Sequence, residues 1–184
     1  MGQNRHVSKL SSQPLSPLDG RYRSQVGELG LYLSEAGLNR ARIHVEIEWL
    51  IWLVEKDLLA NGAALSEKET SGLRSVYQDF SDADVSELAE IEATTRHDVK
   101  AVEYFIRNKL EQMGRDDLGE LVHFACTSED INNLAYALTI RDALEQVWLP
   151  AVRALVEKMR ALALETADTP MLSRTHGQPA TPTT

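Results

Sequence analysis

The chain has 184 residues, 43% of them hydrophobic and 26% charged, and its 28 acidic against 19 basic side chains leave a formal net charge of -9. That is the composition of an ordinary globular domain, long enough to bury about two thirds of its unfolded surface in a packed core. A single cysteine, Cys126, excludes a disulfide scaffold, and the acidic balance argues against general nucleic-acid binding, which needs clustered Lys and Arg to neutralise phosphates.

Residues 1–17 are polar and lack the apolar stretch of a signal peptide, and the Met1-Gly2 start carries His6 where a myristoylation motif wants Ser or Thr. The longest strictly apolar run, 49–54, falls far short of the roughly 20 residues that span a bilayer, so a cytoplasmic location is expected. Residues 1–20, broken by Pro14 and Pro17 and closed by the Asp19-Gly20 turn signal, read as an extended arm ending in Arg21-Tyr22-Arg23.

Over 38–60 the residues Ala41, Val45, Trp49, Trp52 and Leu53 recur at helical spacing while Ile43, Ile47, Leu50 and Val54 form a second stripe, which predicts a helix buried on two sides and stopped by Asn61-Gly62. Ser66 and Glu69 form a capping box ahead of Leu73, Val76, Tyr77 and Phe80, a helix of about 12 residues. Ser81 caps a short helix carrying Val85, Leu88 and Ala89, and Asp98 caps one carrying Val99, Val102, Ile106 and Leu110. Residues 114–117 read as a loop.

Thr127 or Ser128 is placed as the N-cap of a long helix, with Glu129 and Asp130 in the first turn, where the helix dipole favours negative charge. Its apolar positions Ile131, Leu134, Leu138, Leu144 and Val147 run to Pro150, which should kink or restart it, and Val152, Leu155, Val156, Met159 and Leu162 continue towards Asp168. No stretch alternates with period two, so strands are expected to be few or absent, and there is no internal repeat. Thr181-Pro182 reads as an N-cap with Pro at N1, the start of a helix whose body does not follow, which leads us to expect the N-terminal piece of a longer protein.

The sequence contains no GxxxxGK[ST], GxGxxG, HExxH or CxxC, which argues against nucleoside-triphosphate chemistry and a structural zinc. Four polar clusters remain. In the turn Ser16-Pro17-Leu18-Asp19-Gly20-Arg21-Tyr22, a guanidinium fork and a phenol suit a phosphate or carboxylate; the plainer reading is a solvated Arg beside a packed Tyr. In Thr94-Thr95-Arg96-His97-Asp98, at a helix mouth, Arg96 and His97 can grip an anion; the plainer reading is capping by Asp98.

In Cys126-Thr127-Ser128-Glu129-Asp130, hydroxyls sit among unpaired helix N–H groups, a setting for a carboxylate or for capping alone. Cys126 itself reads as a small core residue. In Ser173-Arg174-Thr175-His176-Gly177-Gln178-Pro179, a His held by local hydrogen bonds can still reach a ligand, as a general acid must, or is merely exposed. His44 and His123 are expected to be structural.

Together the four clusters resemble the adenylosuccinate lyase family of the fumarase/aspartase superfamily, in its variety with a long N-terminal arm. The likeness rests on SPLDGRY at 16–22, HDVKAVEYF at 97–105, HFACTSEDINN at 123–133 and SRTHGQPATP at 173–182. It implies an all-α fold with a small helical domain over 1–116 and the first long helices of a bundle domain over 117–184, assembled as a homotetramer with active sites between subunits.

By that likeness Arg21 and Tyr22 hold a nucleotide phosphate, Arg96, His97 and Asp98 line the same pocket, Thr127 and Ser128 bind a succinyl group, and His176 is the general acid. The implied reaction is β-elimination of fumarate from adenylosuccinate, giving AMP, and from the succinyl-carboxamide ribotide of purine biosynthesis, with no metal or redox cofactor. The family's signature loop SSxMPxKxNP, which supplies its base Ser, does not occur in this sequence, so the chain alone is expected to be inactive. The alternative from another class is a non-catalytic helical interaction module.

Overall fold

The computed structural model describes residues 14–58 and 64–184. Most of the expected arm, with His6, and the Asn61-Gly62 stop lie outside the described residues. The chain is mainly α-helical, as expected, and divides into two compact units, one reaching to Ala143 and one running from Leu144.

In the first unit, after the turn at 14–22, short pieces of helix follow: α1 (Arg23–Val26), a 3-10 turn (Gly27–Leu29) and α2 (Gly30–Leu33). The long α3 (Glu35–Glu55) starts three residues earlier than the periodicity indicated, because the Ser34 hydroxyl accepts the Gly37 N–H at 3.1 Å. Gly37 is needed there: a Cβ would stand 2.5 Å from the Tyr32 carbonyl oxygen. Of the two stripes on α3, the one with Ile43, Ile47, Leu50 and Val54 is the core face, whereas Trp52 on the other is exposed.

Around that face pack α4 (Glu67–Gln78), α5 (Asp82–Thr95) and α6 (Asp98–Gln112). The Ser66–Glu69 capping box that starts α4 is complete, and Leu73 enters the core from it. Leu88 of α5 and Val102, Phe105, Ile106 and Leu110 of α6 are buried, with Phe80 meeting the Phe105 ring edge-on at 6.2 Å. The expected loop at 114–117 is only partly loop, since its last residues open a 3-10 segment (Asp116–Leu121) that seats Leu118 and Leu121 in the core. The first unit ends with α7 (Ser128–Ala143), which packs along α3 through Ile131, Ala135, Thr139 and Ala143.

The second unit opens on a π-helical turn (Leu144–Trp148) and continues as α8 (Leu149–Thr166). Pro150 explains the widened turn: it has no N–H to offer the preceding carbonyls, and its ring needs room against them. No residue of α8 is buried.

The end of the chain departs from expectation. Thr181-Pro182 does not open a helix; it lies in β2 (Gln178–Thr183), paired antiparallel with β1 (Met171–Thr175). The two-residue turn His176-Gly177 has φ of 49° and 77°, the positive pair that a type I′ hairpin turn needs. Register slips between Leu172 and Arg174, and Ser173 spans the irregularity, its hydroxyl donating to the Thr181 carbonyl and accepting the Thr181 N–H. With Pro179 and Pro182 in one strand, every residue of β2 exposed and no apolar alternation, the pattern carried no strand signal.

Candidate active site

The turn that presents Arg21 and Tyr22 is closed by Asp19. Its carboxylate accepts the Leu15 and Ser16 N–H groups and the Ser16 hydroxyl, which together hold its pKa below the usual range. The Tyr22 N–H returns to the Pro17 carbonyl at 2.9 Å. Both side chains are exposed, with the Arg21 guanidinium 5.5 Å from the Tyr22 ring centroid.

At the second cluster, α5 ends on Arg96 in the left-handed conformation (φ 52°) and α6 begins two residues later. The N-cap of α6 is His97, not Asp98. The His97 backbone is extended and its Nδ1 accepts the Lys100 N–H at 3.2 Å, so a neutral His97 carries its proton on Nε2. Asp98 is drawn away from capping by a buried guanidinium: Arg42 Nη2 donates to its carboxylate at 2.6 Å. Partial burial works to raise the Asp98 pKa, but the Val99 N–H and Arg42 outweigh it and hold the carboxyl below its ordinary range.

The third cluster opens α7. Thr127 is its N-cap, forming a reciprocal pair with Asp130: the Thr127 N–H and hydroxyl donate to the Asp130 carboxylate at 2.7 and 3.0 Å, and the Asp130 N–H returns to the hydroxyl at 3.4 Å. These two donors hold the Asp130 pKa below the usual value. Ser128, half-buried, sits in the first turn beside them.

The connection 123–126 leading into this cap is strained, with φ of 61° at His123 and 58° at Ala125, positions that favour glycine. Buried Glu46 of α3 clamps it, one carboxylate oxygen accepting the His123 N–H at 3.1 Å and the other meeting His123 Nδ1 at 2.5 Å. Burial pushes the Glu46 pKa up, and His123 opposes the shift. Trp49, also on α3, donates its indole N–H to the Phe124 carbonyl.

Thus His123 is structural in the way expected, as is His44, which stacks on Tyr77 at 4.2 Å and whose pKa burial lowers. Cys126 is half-buried rather than in the core, and burial with Glu46 and Asp130 nearby raises its thiol pKa, away from reactivity.

The second and third clusters are joined by one residue that the sequence pattern did not single out. Arg42 donates through Nε to Asn132 of α7 at 2.9 Å, through Nη1 to Asn39 at 2.9 Å and through Nη2 to Asp98. The N-termini of α6 and α7, each with a partial positive charge, are thereby tied to the same stretch of α3, an arrangement suited to an anion with more than one acidic group. A signal was available: a lone Arg on the apolar flank of a predicted helix needs buried acceptors. The fourth cluster belongs to the second unit, where His176, at positive φ, forms the exposed tip of the β1–β2 hairpin.

Comparison with known proteins supplies the family. The family model described as Lyase matches residues 20–184. The chain is 46% identical over 171 residues to the adenylosuccinate lyase of Vibrio cholerae and 44% identical to that of Haemophilus influenzae, in both cases covering 92% of this chain and 38% of the relative. The adenylosuccinate lyase of Dictyostelium discoideum is 43% identical over 174 residues, 37% of its length. The chain therefore spans less than two fifths of the length of these relatives. With the model running from Gly20, just ahead of Arg21 and Tyr22, through the other three polar clusters, the chain belongs to the lyase family.

Proposed function

We propose that this chain supplies the substrate-binding end of an adenylosuccinate lyase, a cytoplasmic homotetramer that eliminates fumarate from adenylosuccinate and from the succinyl-carboxamide ribotide of purine biosynthesis. The observation that supports the reading is the Arg42 joint, which ties together the N-termini of α6 and α7, where His97, Thr127 and Ser128 stand with Arg96 just before them, and which we read as one anion-binding surface. The substrate offers two carboxylates and a phosphate to such a surface. We assign the phosphate to Arg21 and Tyr22, the pocket wall to Arg96, His97 and Asp98, and the succinyl carboxylates to Thr127 and Ser128. The division of the chain at 116/117 into a small helical domain and the start of a bundle domain belongs to the same reading.

In the elimination a base removes the proton on the carbon beside a carboxylate, the C–N bond breaks, and fumarate leaves as an acid protonates the departing nitrogen. Donors around the carboxylate stabilise the charge that builds on it during proton removal. We assign the acid to His176, an imidazole, which can both carry and give up a proton, and whose place on a two-residue turn gives it reach. The elimination involves no net oxidation or reduction, so no redox cofactor enters the proposed reaction.

A lyase of the relatives' full length beginning with these residues should release fumarate from adenylosuccinate, followed by ultraviolet absorbance, while the 184-residue chain should not turn over. His176→Ala in the full-length protein should lower kcat by on the order of a hundredfold or more with KM little changed. Near-normal kcat in that variant would move the acid to another residue, His97 being next. The exposed apolar residues of α7 and α8 favour the alternative, a non-catalytic helical interaction module, which predicts no fumarate release at any length.

A further inference from the structure

Two charged side chains are buried one turn apart on α3, Arg42 and Glu46, 5% and 0% exposed. A buried ionised group is costly unless its hydrogen-bonding capacity is met, and the geometry that meets it is then hard to change. Arg42 spends its fork on three acceptors at 2.6 to 2.9 Å: Asn39 on its own helix, Asp98 in the first turn of α6 and Asn132 in the second turn of α7. The bond to Asn39 sets the roll of the guanidinium plane, and a rigid plane fixes the angle between its other two bonds. Any slide of α6 against α7 at these ends must break one of them. Its side chain is only 6% exposed, so Arg42 acts through the residues it holds and not by touching a ligand.

We infer that Arg42 is a positioning residue that sets the spacing of the α6 and α7 N-termini, and with it the distance between the His97 and Thr127–Ser128 donor sets. This rests on the proposed reading of those ends as the substrate site. A lysine cannot substitute, because a single ammonium lacks the planar fork that serves three acceptors in fixed directions.

The test reads geometry and catalysis separately. In the full-length protein, Arg42→Gln should speed amide exchange at Lys100 and Ala101 of α6 and at Asp130 and Ile131 of α7 by about tenfold or more, while Lys109 and Leu110 at the far end of α6 exchange as before. Asn132→Ala, which removes one anchor only, should speed Asp130 and Ile131 alone. Uniform acceleration along α6 in Arg42→Gln, or none, would overturn the inference in favour of a merely structural or idle side chain.

In the full-length enzyme, the losses in kcat/KM from Asp98→Asn and Asn132→Ala should depart from simple multiplication by about threefold or more with Arg42 present, and should multiply simply in Arg42→Met and in Arg42→Lys. Simple multiplication in every background would overturn the inference while leaving the lyase reading intact. A full-length protein with no turnover, whose helix-end amides nonetheless respond as stated, would support the positioning role and sink the proposed reaction.

Discussion

Arg21 has the Tyr22 ring for a neighbour and stands on a turn held by Asp19, and among the described residues its exposed guanidinium makes no ion pair. A charge-assisted contact to a substrate phosphate is made equally in the ground and transition states, and its removal weakens binding more than chemistry. In the full-length enzyme Arg21→Ala should therefore raise KM with kcat largely preserved, by the roughly 1.5 to 3 kcal/mol of a hydrogen bond to a charged group. Comparing adenylosuccinate with its dephosphorylated nucleoside makes the measurement diagnostic. The penalty should largely vanish for the nucleoside, and an equal penalty on both substrates would mean that Arg21 only anchors the arm. Of the other site residues, His97 shows how local chemistry can mislead: Asp is the better N-cap by type, yet Arg42, distant in sequence, claims Asp98 and leaves the cap to the imidazole.

At the scale of elements, α4 illustrates a helix whose start is written in four residues. Glu69 closes the box with Ser66 and also receives Arg115, and these partners, Ser66 foremost, lower its pKa to about 2. Ser66→Ala should cost about 1 kcal/mol in urea unfolding near neutrality, the usual loss for an N-cap. Because the folded pKa of Glu69 lies below its ordinary value of 4.5, its contribution is complete above that value and is lost as pH falls towards 2. The stability gap between wild type and Ser66→Ala should accordingly narrow on acidification through this window; a gap independent of pH would show that Ser66 acts without Glu69. The capping box, the periodic stripes and the break at Pro150 were all legible because each depends on neighbours within one or two turns. The β1–β2 hairpin was not, since its signal is a His-Gly turn and a strand carrying two prolines, with no buried face to impose alternation.

The chain as a whole carries a large uncovered apolar surface. Leu155, Val156, Met159 and Leu162 recur along α8 and are 53–63% exposed, and Leu134 and Ile140 of α7 stand open as well. On the first unit, Trp49, Trp52, Cys126, Ile131, Leu134 and Leu138 line an open groove of about 750 Å³ between α3 and α7. Apolar area of this extent in water drives association. Light scattering on the purified 184-residue chain should find oligomers or aggregates at micromolar concentration, and a clean stable monomer would contradict this. The sequence by itself determined the longer helices, the caps at Ser66 and Ser81, the apolar stripes of α3 and the membership of the lyase family, because periodicity, capping and motif spacing are local properties of a chain. Only the tertiary structure decided that Arg42 joins Asp98 to Asn132 and that Glu46 clamps the strained turn at His123, since partners lying 56 to 90 positions apart are brought together by packing and by no local rule.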